Sequence, residues 1–215
     1  MYQPRASFEL PPDDAMIWRY MSLAKFIAML DHHALHFTPL DQMEDKFEGT
    51  VPVRMRRSLD EEAVQSQRST TFVNCWHVNE YESAAMWDIY ARRDSGVAIQ
   101  SRVGRMRDSM RDEPRPVHIG LVRYLDMHNG TARFDDVVDA FISKHISYQH
   151  ERELRALVLT DHDEAGLRIR VDVSQLVERV YVMPTAGDWF RDVVHVVCER
   201  FDLDPGKVKE STLWL

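Results

Sequence analysis

The chain has 215 residues, with 27 Lys and Arg against 35 Asp and Glu, and a formal net charge of −8. With 44% apolar residues it can repay the entropy of ordering its backbone, which excludes simple disorder. The acidic balance argues against nonspecific binding of long nucleic acid as the main task. Gly and Pro, at 8 and 9, are too few for a fibrous chain, and 2 cysteines make no disulfide scaffold.

Residues 1–14 read as an N-terminal arm ending at Pro11 and Pro12, and residues 15–215 as one domain. The arm lacks the apolar core of a targeting signal, and no run approaches a membrane span, so a soluble cytoplasmic protein is expected, with no membrane partner. Ile17–Met21 alternates like a strand. Ser22 is placed to cap a helix over 23–31, where Leu23, Phe26, Ile27 and Leu30 share a face. Residues 34–38 form a second expected strand, stopped by Pro39. A polar connection follows, holding Glu44, Asp45 and Glu48, and then a charged helix from Arg54 to Arg68.

Residues 69–76 read as the next strand. Ser83 opens a helix that carries Met86, Ile89 and Tyr90 on one face with Arg93, and residues 97–101 return as a strand. Five arginines (102, 105, 107, 111 and 115) lie in the following stretch, without the aromatics that would stack single-stranded bases. Residues 117–125 alternate. A helix is expected near 134–144, then strands at 153–160 and 167–171 paired across a turn, a strand near 177–184, a helix from Asp188 to about Arg200 and a terminal strand. Strands and helices interleave without a strict βαβ rhythm. The expected fold is α+β: a single domain with a mixed, largely antiparallel sheet and packed helices.

Glycine-rich phosphate loops, zinc-protease helices and nucleophile elbows are missing from the sequence. His32, His33 and His36 are grouped but cannot all face one point, so no metal site is assigned. Three stretches are chemically dense. In the first, Trp18 and Tyr20 share one strand face and Arg19 takes the other, where it can hold a phosphate or carboxylate if the strand borders a cleft. In the second, Cys75 and His77 flank Trp76 and share a strand face, with Cys75 read as structural; Trp87 and Tyr90 lie three apart on the next helix. In the third, Glu151, Glu153 and Arg155 fall on one side of a strand, either as a salt-bridged face or as an acidic pair at a cleft. Lys144, Tyr148 and Glu151 would form a ridge if the preceding segment is helical.

Taken in order, these stretches resemble one family. The quoted elements are Trp18-Arg19-Tyr20, Phe37-Thr38-Pro39-Leu40 and Asp45-Lys46-Phe47-Glu48. They continue through Cys75-Trp76-His77, Met86 to Tyr90, Gly96 to Ile99, Lys144, Tyr148, and Glu151, Glu153 and Arg155. The pattern is similar to the bacterial and phage-associated domain-of-unknown-function family number 2971, over roughly residues 17–212. Glu44, Asp45 and Lys46 stand where that family usually reads N-D-P, and Tyr148 where Trp is common. The family supplies no reaction.

A second resemblance is to the ADP-ribosyltransferases, which use an early-strand Arg or His, a Ser/Thr-rich or Tyr strand and a late-strand Glu. That resemblance implies an NAD-using transferase, with a nucleotide-like ligand and a protein or nucleic-acid acceptor. Arg19 would hold NAD phosphate, Ser69 or Thr70 would support the nicotinamide side, and Trp87, Tyr90 and Arg155 would complete cofactor binding. Glu153 would stabilise the cationic transition state and Glu151 would orient or activate the acceptor. Two other readings stay open. One is metal-assisted phosphoester chemistry at Arg19, Glu48, Glu151, Glu153 and Arg155. The other is a non-catalytic binding module of a defence or toxin system, with Trp76, Trp87 and Tyr90 as its ligand wall.

Overall fold

A computed structural model describes residues 1–43, 61–91, 95–126, 134 and 136–213. The acidic connection with Glu44, Asp45 and Glu48, residues 54–60 of the charged stretch, and Arg93 lie outside the described residues.

In chain order, β1 (Met16–Ser22) leads into α1 (Leu23–His32). The Ser22 hydroxyl accepts from the Lys25 amide, and α1 ends on His33 in the left-handed region. Then come β2 (Ala34–Pro39), α2 (Glu61–Ser69), β3 (Thr71–Val78), α3 (Ala84–Tyr90) and β4 (Gly96–Arg102). The Ser83 hydroxyl accepts from the Met86 amide to start α3. Glycine is required at 96, because a Cβ there would run into the Ala91 carbonyl at the end of α3.

The second half contributes α4 (Val103–Ser109), β5 (His118–Leu121), β6 (Arg123–Leu125), α5 (Val137–Phe141), β7 (Ser143–His145) and β8 (Glu153–Leu159). It closes with β9 (Leu167–Arg170), α6 (Val173–Leu176), β10 (Arg179–Val182), α7 (Asp188–Arg200) and β11 (Val208–Lys209). The N-terminal arm is docked, with Tyr2 bridged to Val117 and the Gln3 amide donating to the Val117 carbonyl at 2.8 Å. Among the described residues, no helix is long and apolar enough to cross a membrane.

The protein is a single α+β domain around a mixed sheet. The main sheet runs β11-β10-β4-β1-β3-β2-β9, with β8 and β5 joined on β3, and β6 and β7 form a small separate pair. Pairing is antiparallel except at β10–β11 and β6–β7. Helices cover both faces. Phe26, Met29 and Leu30 of α1 and Phe190, Val194 and Cys198 of α7 pack with Ile17, Val97, Ile99, Leu154 and Val158 in the main core. On the other face Met86 and Trp87 of α3 pack on Trp18, Tyr20 and Tyr181, and Val138 and Phe141 of α5 pack with Val73 and Leu157.

The segments expected to pair across residues 161–166 do not. β8 lies between β3 and β5, while β9 pairs with β2, so the two strands enter different parts of the sheet. The helix expected over 134–144 is shorter, and β7 takes up its end. The alternation over 117–125 is divided at Val122 into β5 and β6.

One local feature positions everything that follows. β1 pairs with β4 along its whole length but with β3 only at Ile17–Val78 and Trp18–His77. The same edge of β3 meets β2 only at Thr38–Val73 and Pro39–Phe72. Between these contacts the sheet forks.

Candidate active site

The fork is lined by side chains from four elements. β1 supplies Trp18, Arg19 and Tyr20, and β3 supplies Cys75, Trp76 and His77. α3 supplies Met86 and Tyr90, and Glu151 and Glu153 come from the entry to β8. Directly paired residues share a face, so the pairs Trp18–His77 and His77–Glu153 place Trp18, His77 and Glu153 on one side of the sheet. Arg19, one residue on, starts from the opposite side. It reaches the same cavity where β1 and β2 part along one edge of β3, and its Nη1 donates to the Cys75 carbonyl at 2.9 Å. Among the described residues no carboxylate pairs with Arg19. Burial lowers its affinity for the proton, and Cys75 and Glu153 nearby oppose that fall.

Glu153 is 4% exposed and held from three directions. Arg155 Nε donates to Oε1 at 2.7 Å and Arg155 Nη2 to Oε2 at 3.0 Å, while Lys144 Nζ lies 3.3 Å from Oε2. The Cys75 side chain adds a hydrogen bond. Burial alone would raise the Glu153 pKa. Arg155 and Lys144 outweigh it and hold the carboxyl below its ordinary value, so it is ionised at neutral pH.

Glu151 joins through Lys144, whose Nζ donates to Glu151 Oε2 at 2.5 Å, and through Tyr90, whose hydroxyl donates to Oε1 at 3.1 Å. Burial first, then Glu151, keeps the Tyr90 phenol protonated. The expected strand does not carry both acids. Glu151 ends a 3-10 turn over Ile146–Glu151, and Arg152 sits in the left-handed region at φ 41° before β8 begins. That kink turns both carboxylates onto Lys144. Lys144 also lies 5.2 Å from the Tyr148 ring centroid, so the ridge of Lys144, Tyr148 and Glu151 exists, built on the 3-10 turn.

His77 is fixed by its Nδ1, 2.6 Å from the Glu151 carbonyl oxygen. A carbonyl only accepts, so Nδ1 carries the proton. Burial then lowers the His77 pKa and leaves Nε2 buried without a partner. Cys75, expected to be structural, and His77 and Lys144 join the site alongside the acids. The shared strand face of Cys75 and His77 was the available signal.

Arg155 is 0% exposed, and its donors go to Glu153 and to the Phe141 carbonyl at 2.6 Å; it braces Glu153 and does not line the cavity. Trp87 is 2% exposed, stacks edge-on against Tyr20 and donates to Glu82, also outside the lining. Ser69 and Thr70 are at the far end of β3. There the Ser69 hydroxyl donates to Asp163 at 2.6 Å and the Thr70 hydroxyl donates to the Gln67 carbonyl at 3.3 Å. Trp76 lines the cavity but is core-bound, with its indole nitrogen donating to Asn74. Among the described residues no group of three or more His, Cys, Asp or Glu side chains is placed to hold a metal ion.

The enclosed space is about 70 Å³, room for roughly two waters. A larger ligand must therefore extend beyond it. Chemically the site offers a fixed carboxylate beside an uncompensated guanidinium, walled by aromatic rings, with a second carboxylate at the Tyr90 side.

No family model matches the chain, and no curated protein matches it. Among solved structures, it is similar to Thermus sp. 2.9 DarT in complex with ADP-ribosylated ssDNA. That comparison has 11% identity and a TM-score of 0.47, covering 96% of this chain and 99% of that one. The same protein in complex with NAD+ is similar at 11% identity and a TM-score of 0.47, covering 95% and 99%.

Proposed function

We propose that the protein is an NAD-using transferase of the ADP-ribosyltransferase kind, within the domain-of-unknown-function family that its sequence resembles. One observation carries this reading: Arg19 and Glu153, from opposite faces of the sheet, line one cavity, the first without a carboxylate partner among the described residues and the second held ionised.

The residues fit the parts of an NAD molecule. Arg19 offers unused guanidinium donors to its diphosphate. Glu153 presents fixed negative charge, the requirement for stabilising a sugar carbon that becomes cationic as its glycosidic bond breaks. When bound, NAD would supply an ADP-ribosyl group by release of nicotinamide. Arg155 and Lys144 keep Glu153 ionised and aimed, and Tyr90 and Lys144 orient Glu151 to receive a proton from the acceptor nucleophile. The acceptor is a protein or a nucleic acid, and the place of action is the cytoplasm.

The metal-assisted alternative is less well supported, because the oxygens of Glu151 and Glu153 are already taken by Lys144, Arg155 and Tyr90. The purely aromatic binding wall is also less well supported, since Trp87 is buried away from the cavity.

The test is incubation of the full chain with NAD labelled in its adenylate, alone and with cell extract, with nicotinamide release and labelled macromolecule as readouts. The native protein should give both and Glu153→Gln neither. Absence of any NAD consumption by the native protein would sink the reading.

A further inference from the structure

A second cavity lies on the other face of the sheet, between α1, β2 and β9, with a volume of about 230 Å³. Arg19 lines it as well as the Glu153 cavity, so the two cavities adjoin at the fork. Its other basic residues come from three elements: Lys25 and His32 on α1, His36 on β2 and Arg168 on β9. His36 and Arg168 are directly paired across β2 and β9, which puts their side chains side by side on one face.

The charge here is unbalanced. Among the described residues no Asp or Glu lines this cavity. Among the described residues, no carboxylate forms an ion pair with Arg19, Lys25 or Arg168. Asp31 pairs with His32, one of the lining residues, at 3.1 Å. In a chain with a net charge of −8, three cations left together around a concavity repel one another and gain nothing from the fold. The His36 pKa registers that field: burial lowers it first, then Arg19, Lys25 and Arg168. The positive stretch ends locally, because the depression beyond His36 and Arg168 contains Glu164, and Arg115 there is already paired with Glu113 at 2.6 Å.

We propose that the α1–β2–β9 cavity is a phosphate-binding site for one or two phosphate groups of a ligand whose other end enters the Glu153 cavity through the fork. The inference rests on the nucleotide-using reading above and adds Lys25, His36 and Arg168 to the binding surface. The limited run of positive charge selects a short phosphate chain, such as a nucleoside diphosphate, over an extended polyanion. Lys25 and Arg168 are exposed, so they can be replaced without opening the core.

The experiment is calorimetric titration of the full chain with ADP, with adenosine and with a short single-stranded oligonucleotide. Each is compared between the native protein and a Lys25→Ala, Arg168→Ala double variant whose melting temperature is checked. ADP affinity should fall about 10- to 100-fold in the variant, the loss expected for two charge-assisted contacts. Adenosine should bind both proteins alike, and ADP should outcompete the oligonucleotide. Equal ADP affinity in the two proteins, no ADP binding to the native protein, an equal loss for adenosine, or an oligonucleotide that displaces ADP at lower concentration each overturns the proposal. Phosphate-dependent ADP binding without NAD turnover would leave this site standing and remove the transferase reading. NAD turnover that ignores Lys25 and Arg168 would do the reverse.

Discussion

Arg19 and Glu153 leave the sheet from opposite faces and meet in one cavity, because β1 pairs with β3 at only two positions before the strands part. The meeting depends on the separation of β1 and β2 along β3, where the Cys75 carbonyl receives the Arg19 guanidinium. Whatever the ligand is, the site's geometry is set by where the two strands separate.

Replacing Glu153 by Gln keeps the shape and removes the charge. Nicotinamide release should fall by at least about 100-fold, the usual scale for losing one fixed electrostatic stabiliser. Single-turnover measurement at saturating NAD reads the chemical step directly. A change below threefold would mean that this carboxylate is structural.

Arg155 should behave differently from a ligand-binding residue. It is fully buried and braces Glu153, so Arg155→Met leaves a buried carboxylate with Lys144 as its remaining charged partner. About 3–5 kcal/mol of stability should be lost. For a chain this size that is a fall of about 10 °C or more in melting temperature. A variant that melts like the native protein would show that the pair contributes little.

The depressed Glu153 pKa has a pH consequence with a definite sign. A carboxyl whose folded pKa lies below its unfolded value stabilises the fold above the ordinary value of 4.5. That contribution disappears as pH drops from there toward the folded value. Melting temperature followed from pH 7 to pH 3 should decline more steeply in the native protein than in Glu153→Gln. Parallel curves would contradict the assignment.

Tyr90 is 45% exposed and anchors Glu151 from the solvent side. Tyr90→Phe should change stability by less than about 1 kcal/mol, given that exposure. Acceptor modification should nevertheless slow by about tenfold, one hydrogen bond's worth of barrier. NAD hydrolysis to water, run as the control, separates loss of acceptor activation from loss of donor binding.

Ser69 and Thr70 test the limits of reading motifs in order. Both lie at the opposite end of β3 from Cys75 and His77. Ser69→Ala and Thr70→Ala should leave turnover within twofold of native. A large loss would require a site that spans the length of the strand.

These residues also show what the sequence exposes and what it hides. Period-two alternation separates Arg19 from Trp18 and Tyr20 at the backbone, yet all three side chains line one cavity. Alternation is local, whereas the fork depends on β3 meeting two partners far apart in the chain. For the same reason residues 153–159 and 167–170 look like a hairpin: their shared turn is local and their true partners are not. Glu151 and Glu153 converge, but through a left-handed Arg152, a conformation that no propensity assigns to arginine. Lys144 is harder still. A lysine 6% exposed is legible only when the two acids around it are seen.

The gap in β3 has one more consequence. An exposed stretch of strand edge is an open invitation to another chain, and proteins normally blunt such edges with charge. Arg19 caps this one. Truncating Arg19 would therefore uncover a stretch of strand edge as well as remove a binding contact, so solubility and activity would fall together. A chain lost to association reads as an inactive enzyme, and Arg19→Lys, which retains the blunting charge, is the substitution that tells the two apart.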